Sequence, residues 1–119
     1  MVADVLDELL RAADVGLRAK VSKRLAQQNE APRALVRRLA HDDFEVAEPL
    51  LRRSQALSDF DMMDIAQGAS ALHRLELARR ESVSETVAAA LAAGGDMDVI
   101  TTLLRNDGAR LASQTVEVI

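Results

Sequence analysis

The sequence predicts an all-α protein, an α-solenoid of stacked helix-turn-helix repeats with a period of about 26 residues. Two observations lead to this prediction: apolar residues recur at helical spacing along most of the chain, and two short strings recur at that period. Only two Pro and five Gly interrupt the 119 residues, and no segment has the pattern of a strand. The first apolar stripe has the spacing i, i+3, i+4 and i+7 of an amphipathic helix and consists of Leu6, Leu9, Leu10 and Ala13.

The two recurring strings keep nearly constant separations. Leu39-Ala40 reappears as Ile65-Ala66 and Leu91-Ala92, with separations of 26 and 26 residues. The longer string has separations of 27 and 26 residues and occurs as Leu50-Leu51-Arg52-Arg53, Leu77-Ala78-Arg79-Arg80 and Leu103-Leu104-Arg105-Asn106. A weaker earlier copy is Leu25-Ala26-Gln27-Gln28. Two independent strings with one period indicate an internal repeat.

Each repeat unit is predicted to contain two short helices. The first helices are expected at residues 32–40, 59–67 and 85–93, and the second helices at 44–53, 70–80 and 97–105. A pair this short cannot bury its apolar face alone, so it must stack on neighbouring pairs. We therefore expect one domain over residues 1–119, with N-terminal helices in 1–30 and repeat units at 31–57, 58–83 and 84–112.

Residues that favour helix ends support these boundaries. Pro32 suits a first helical position, where its missing N–H costs nothing. Gly94-Gly95 interrupts the chain between the last two helices. The residues expected to cap helix starts by accepting from exposed backbone N–H groups are Ser58, Ser84, Asp43 and Asp96.

The repeat pattern also predicts the core, which consists of Leu39, Leu50, Leu51, Ile65, Leu77, Leu91, Leu103 and Leu104. Pro49 departs from it, because a proline inside a helix removes a backbone hydrogen bond and clashes with the carbonyl of Glu45. Its equivalents Glu76 and Thr102 show that not every unit contains such a proline. A kink or a late helix start is the simpler interpretation, and a shaped binding groove is the alternative.

Composition narrows the class of partner. The net charge of −4, and two Phe with no Tyr or Trp, argue against a nucleic-acid partner, which usually calls for basic patches and aromatic stacking. The sequence contains no basic helix with aromatic anchors, the feature that would indicate binding to a membrane surface. There is no Cys for disulfides, and the acidic start lacks the basic region of a signal peptide. The simplest expected location is therefore the cytoplasm.

Several strings resemble a known family: Ala31-Pro32, Leu39-Ala40-His41-Asp42, Val46-Ala47-Glu48-Pro49-Leu50-Leu51, Ser54 with Leu57, Asp59 with Asp61, His73, Ala78-Arg79-Arg80, Val83-Ser84, Leu91, Leu104 and Asn106. The chain is similar over about residues 30 to 110 to an alphaproteobacterial family of uncharacterised conserved proteins with HEAT-like helical repeats. The resemblance implies a HEAT-like fold but supplies no activity, substrate or functional residue. Because family members are generally longer, it also implies an N-terminal fragment or a short relative.

The two histidines are the remaining candidates for chemistry. His41, with Asp42, Asp43 and Glu45, lacks a second matched histidine, so we expect no metal and no cofactor. His73 is expected to be a structural histidine hydrogen-bonded between repeats. The alternative is a phospho-accepting His73, although the Lys-Gly continuation typical of such histidines is absent. Nothing else indicates catalysis, and we expect no enzyme.

Five arginines occupy equivalent repeat positions, and we call them the repeat arginines: Arg52, Arg53, Arg79, Arg80 and Arg105. Stacked repeats would align them into a cationic stripe for an acidic partner segment. Alternatively, they offset helix dipoles or pair with a neighbouring unit's acids, such as Asp59 or Glu85. A further basic set is expected to form solvated helix faces and consists of Arg18, Lys20, Lys23, Arg24, Arg33, Arg37 and Arg38.

These observations predict a non-catalytic scaffold or adaptor that binds a protein or peptide. The alternatives are a repeat protein that grips a nucleic-acid backbone, and a phosphorelay or enzyme component that uses His73 or His41. Val116, Val118 and Ile119 leave apolar residues at the end of the chain, where a solenoid needs a polar cap. We therefore expect either that the natural protein continues beyond Ile119 or that this end packs on another copy, which makes a homodimer through this end one hypothesis.

Overall fold

The computed structural model describes residues 9–11 and 13–111, and these residues form an all-α protein. Residues 9–11 are helical, and the described helices that follow are α1 (Val15–Leu25), α2 (Arg33–Ala40), α3 (Phe44–Arg53), α4 (Asp59–Gly68), α5 (Ala71–Ala78), α6 (Glu85–Ala93) and α7 (Met97–Arg105). In this part of the chain the backbone makes no strand, only an isolated parallel bridge between Val83 and Ala109. No described helix is both long and apolar enough to cross a membrane.

The six predicted helices all occur, with small differences at their ends. α2 begins at Arg33, because Pro32 takes the N-cap position rather than the first helical one. α5 is shorter at both ends than the predicted range 70–80, since Ser70 is its N-cap and Arg79 its C-cap. α3 begins at Phe44, well before Pro49, so the late helix start is wrong and the proline lies inside the helix.

Short polar side chains fix the helix starts. Ser58 and Asp61 form a capping box: the Asp61 N–H donates to Ser58 Oγ at 3.1 Å, and the Ser58 N–H donates to Asp61 Oδ2 at 3.1 Å. Ser84 and Asp96 also accept from backbone N–H groups, as predicted. The prediction for Asp43 is wrong, because this N-cap residue makes no capping bond with its side chain.

The chain divides into two compact units, residues 1–57 and 58–119. In the first unit α1 packs on α3, and α2 contacts both helices. The core there includes the predicted Leu39, Leu50 and Leu51, each no more than 1 % exposed. The apolar stripe of the first helix is only partly buried, since Leu10 is 6 % and Leu9 64 % exposed, and Leu6 lies outside the described residues.

In the second unit α4 packs on α6 and α5 on α7, while consecutive helices also touch. Its core includes Ile65, Leu77, Leu91 and Leu103, all fully buried as predicted. Leu104 is a wrong prediction, because its side chain is 53 % exposed. Neighbouring residues of a helix point about 100° apart, so the inward direction of Leu103 turns Leu104 away from the core.

Candidate protein-binding surface

The repeat arginines stand at the C-terminal ends of α3, α5 and α7. Arg52 and Arg53 are the last two residues of α3, Arg79 is the C-cap of α5, and Arg105 is the last residue of α7. These four side chains are exposed. Arg79 also bonds within its own helix, with Nη1 2.9 Å from Glu76 Oε1. Each of these positions places a cation beside the negative end of a helix dipole.

Arg80 differs from the other repeat arginines, because it is only 8 % exposed. Its burial lowers the pKa of the guanidinium from the ordinary value, and the negative charge of Asp59 opposes this effect. Arg80 and Asp59 belong to the same predicted unit, 58–83, so their proximity is not the expected pairing with an acid of a neighbouring unit. A buried guanidinium cannot present itself to a partner, so Arg80 leaves the set of surface cations.

A groove runs along the first unit where the C-terminal ends of α1 and α3 meet. It encloses about 300 Å³ and is lined by Lys23, Ala26, Gln27, Glu48, Pro49, Arg52 and Arg53. A shallower cleft of about 500 Å³ shares Lys23 and Gln27 with it and adds Lys20, Val21 and Arg24. We call the two concavities together the basic groove.

The sequence did not place the cations of α1 and α3 together. Lys20, Lys23 and Arg24 were expected on a solvated face, while Arg52 and Arg53 were grouped with equivalent positions in other units. The three α1 residues are indeed exposed, but they border the same groove as the two arginines of α3. The pairing of α1 with α3 is a tertiary contact, and the only sequence signal for it is the weak repeat copy at residues 25–28.

Arg18 departs from the expectation of a solvated basic face. Its side chain is 17 % exposed, and its Nε lies 2.9 Å from Asp42 Oδ2. The same guanidinium also pairs with Asp43, whose Oδ2 lies 3.6 Å from Arg18 Nη2. Two of the three carboxylates in the candidate metal cluster around His41, those of Asp42 and Asp43, therefore face an arginine. Among the described residues, no group of three or more His, Asp or Glu side chains is arranged to hold a metal ion.

The histidines occupy different environments. His41 is the exposed C-cap of α2, and its backbone N–H donates to the carbonyls of Arg38 and Leu39 near the end of that helix. His73 is 5 % exposed, and its Nδ1 lies 2.6 Å from the hydroxyl of Ser70, the N-cap of its own helix. This hydrogen bond is local to the first turn of α5. The apolar end formed by Val116, Val118 and Ile119 lies outside the described residues.

Fold and site together define a small all-helical protein whose most distinctive described surface is a basic groove. The chain belongs to a bacterial family described as an uncharacterised protein conserved in bacteria (DUF2336), whose model matches residues 46–119. This match begins inside α3 and runs through α7, whereas the expected resemblance covered about residues 30 to 110. No curated protein and no solved structure matches the chain.

Proposed function

We propose that this chain is a non-catalytic adaptor, built as a HEAT-like α-solenoid, that binds a protein or peptide partner. The repeat architecture is supported by the helix starts, because α2, α4 and α6 begin at Arg33, Asp59 and Glu85, at steps of 26 residues. The packing of α4 on α6 and of α5 on α7 is also what stacked two-helix units require. Solenoids typically bind partners along such stacked surfaces.

One observation carries the proposal: Arg52, Arg79 and Arg105 occupy equivalent helix ends and are all exposed. Helix dipoles explain part of this placement, since a cation near a C-terminus stabilises a helix by roughly 0.3–1 kcal/mol. A dipole is satisfied by any cation in the last turn, Lys included. All three equivalent positions carry Arg, and Arg is the residue type that binds a carboxylate through two parallel hydrogen bonds.

The test is a crosslinked pull-down from a bacterial lysate, read by mass spectrometry. It compares the natural chain with the triple variant Arg52→Glu, Arg79→Glu and Arg105→Glu, after circular dichroism has shown that both are helical. A matched control reverses the same number of exposed charges elsewhere, as Arg33→Glu, Arg37→Glu and Arg110→Glu. We expect a partner that the natural chain and the control capture and the triple variant loses.

One outcome would contradict the binding role of the three arginines, and another would contradict the adaptor itself. Equal capture by all three proteins would assign the three arginines to helix stabilisation alone. No reproducible partner with any of them would argue against an adaptor.

A further inference from the structure

We propose that the basic groove binds an acidic, amphipathic segment of a partner protein. This inference rests on the proposed adaptor function and names its site and the chemistry of its partner. Among the described residues, five cations border the groove, namely Lys20, Lys23, Arg24, Arg52 and Arg53, and one carboxylate, that of Glu48. The whole chain has a net charge of −4, so this concentration of positive charge runs against the average of the molecule.

Helix dipoles do not account for this charge. The C-terminal ends of α1 and α3 both reach the groove, and each contributes roughly half a negative elementary charge. With Glu48, the negative charge at the groove amounts to about two elementary charges, against five cations. An excess of about three positive charges remains, which matches a segment carrying several carboxylates.

The walls favour a peptide over a nucleic acid. The half-buried Pro49 and Val21 supply apolar surface between the charged side chains, which suits the aliphatic residues of an amphipathic segment. None of the described residues that line the two concavities is aromatic, so bases have no stacking platform there. The groove of about 300 Å³ holds only a few side chains, but the adjoining cleft lengthens it along α1. An extended or helical segment fits this shape better than a compact ligand.

The test measures fluorescence anisotropy of a short labelled peptide of Glu and Leu added to the full chain. The groove variant is Lys23→Glu with Arg53→Glu, and the matched control is Arg33→Glu with Arg110→Glu, two exposed arginines that neither line the groove nor belong to the repeat arginines. We expect the groove variant to bind the peptide at least about tenfold more weakly, and the control to bind like the natural chain. A peptide with Lys in place of Glu should not bind.

The natural chain supplies two checks that need no variant. Affinity for the Glu and Leu peptide should fall as salt rises from low to physiological concentration, because screening weakens exposed charge pairs. Backbone amide shifts in nuclear magnetic resonance spectra should change mainly in residues 20–27 and 48–53. Shifts confined to other residues, or affinity independent of salt, would overturn the inference.

The remaining outcomes separate the groove from the adaptor function. Tighter binding of labelled duplex DNA than of the peptide would overturn the acidic-segment proposal in favour of a phosphate backbone. A lysate partner captured equally well by the groove variant would sink the groove proposal and leave the adaptor intact. Loss of that partner with the groove variant, but not with the matched control, would support both.

Discussion

The guanidinium of Arg18 makes two hydrogen bonds with the carboxylate of Asp42, Nε to Oδ2 at 2.9 Å and Nη2 to Oδ1 at 3.1 Å. A third bond runs from Nη1 to the carbonyl of Ala13 at 2.6 Å. The Asp42 hydrogen bond is the main reason that the pKa of Arg18 is raised above its ordinary value, although desolvation opposes the shift. One side chain of α1 thus ties the segment before that helix to the loop between α2 and α3.

We expect Arg18→Ala and Asp42→Ala each to lower the Tm, because each removes the paired hydrogen bonds between distant parts of the first unit. The Tm of the double variant should fall by less than the sum of the two single decreases, because the second substitution has no pair left to break. Thermal unfolding followed by circular dichroism measures this cycle. Arg24→Ala, an exposed position on the same helix, is the control. Strictly additive losses would show that Arg18 and Asp42 do not act as a pair.

The local features of this fold could be predicted from the sequence, whereas the non-local ones could not. Helix boundaries follow from capping residues such as Ser58 and from apolar periodicity, both of which act over a few residues. Arg18 and Asp42 lie 24 residues apart, and no pattern at either position indicates the other. The basic groove was missed for the same reason, because it arises from the packing of α1 on α3. Repeat equivalence also misled at Arg80, which is buried although Arg53 is exposed.

Neighbouring leucines in equivalent repeat strings should differ sharply in their effect on stability. Leu77 is fully buried, so Leu77→Ala should lower the free energy of unfolding by about 2–5 kcal/mol through lost contacts and a residual cavity. Leu104, at 53 % exposure, should change it by less than about 0.5 kcal/mol when replaced by Ala. Urea denaturation measures both values. A cost for Leu104→Ala comparable to that for Leu77→Ala would mean that Leu104 is covered in solution.

Asn106 holds the end of α7 against the end of α5. Its Nδ2 donates to the carbonyls of Ala78 at 2.8 Å and Arg80 at 2.9 Å, and its Oδ1 accepts from the Gly108 N–H at 2.9 Å. A Cβ added at Gly108 would lie 1.8 Å from the carbonyl oxygen of Glu81, so this approach requires glycine. The asparagine stands where the earlier repeat strings have arginine.

We expect Asn106→Ala to lower the free energy of unfolding by about 1–3 kcal/mol, because it leaves two carbonyls and one N–H without their partner. Asn106→Asp is the sharper variant, since it keeps the acceptor for Gly108 but turns a carboxylate oxygen toward the Ala78 and Arg80 carbonyls. It should be at least as destabilising as Asn106→Ala at neutral pH. Urea denaturation of the two variants decides the matter. An Asp variant as stable as the natural chain would refute the donor role of Asn106.

Two buried serines of the first unit should respond in opposite directions to replacement by alanine. Ser22 is fully buried in α1, and among the described residues its hydroxyl has no hydrogen-bond partner. Ser54 is equally buried, but its Oγ accepts from the Ala56 N–H at 3.1 Å. Ser22→Ala should leave stability unchanged or raise it by up to about 1 kcal/mol, and Ser54→Ala should lower it by about 1 kcal/mol. Paired thermal scans test this, and a loss at Ser22 as large as that at Ser54 would indicate that its hydroxyl is satisfied.

Pro49 lies inside α3 and lines the basic groove, so its replacement tests whether the helix is strained by the proline. Pro49→Ala restores an N–H that can donate to the carbonyl of Glu45, and proline costs about 3 kcal/mol relative to alanine in a helix interior. Loss of the proline also raises the conformational entropy of the unfolded chain, and this offsets about 0.4–1 kcal/mol of the gain in stability. We therefore expect a net gain of roughly 2 kcal/mol in the free energy of unfolding, measured in urea. Glu48→Ala, the preceding exposed position, should change it little. A lower stability for Pro49→Ala would mean that contacts of the ring in the groove outweigh the missing backbone bond.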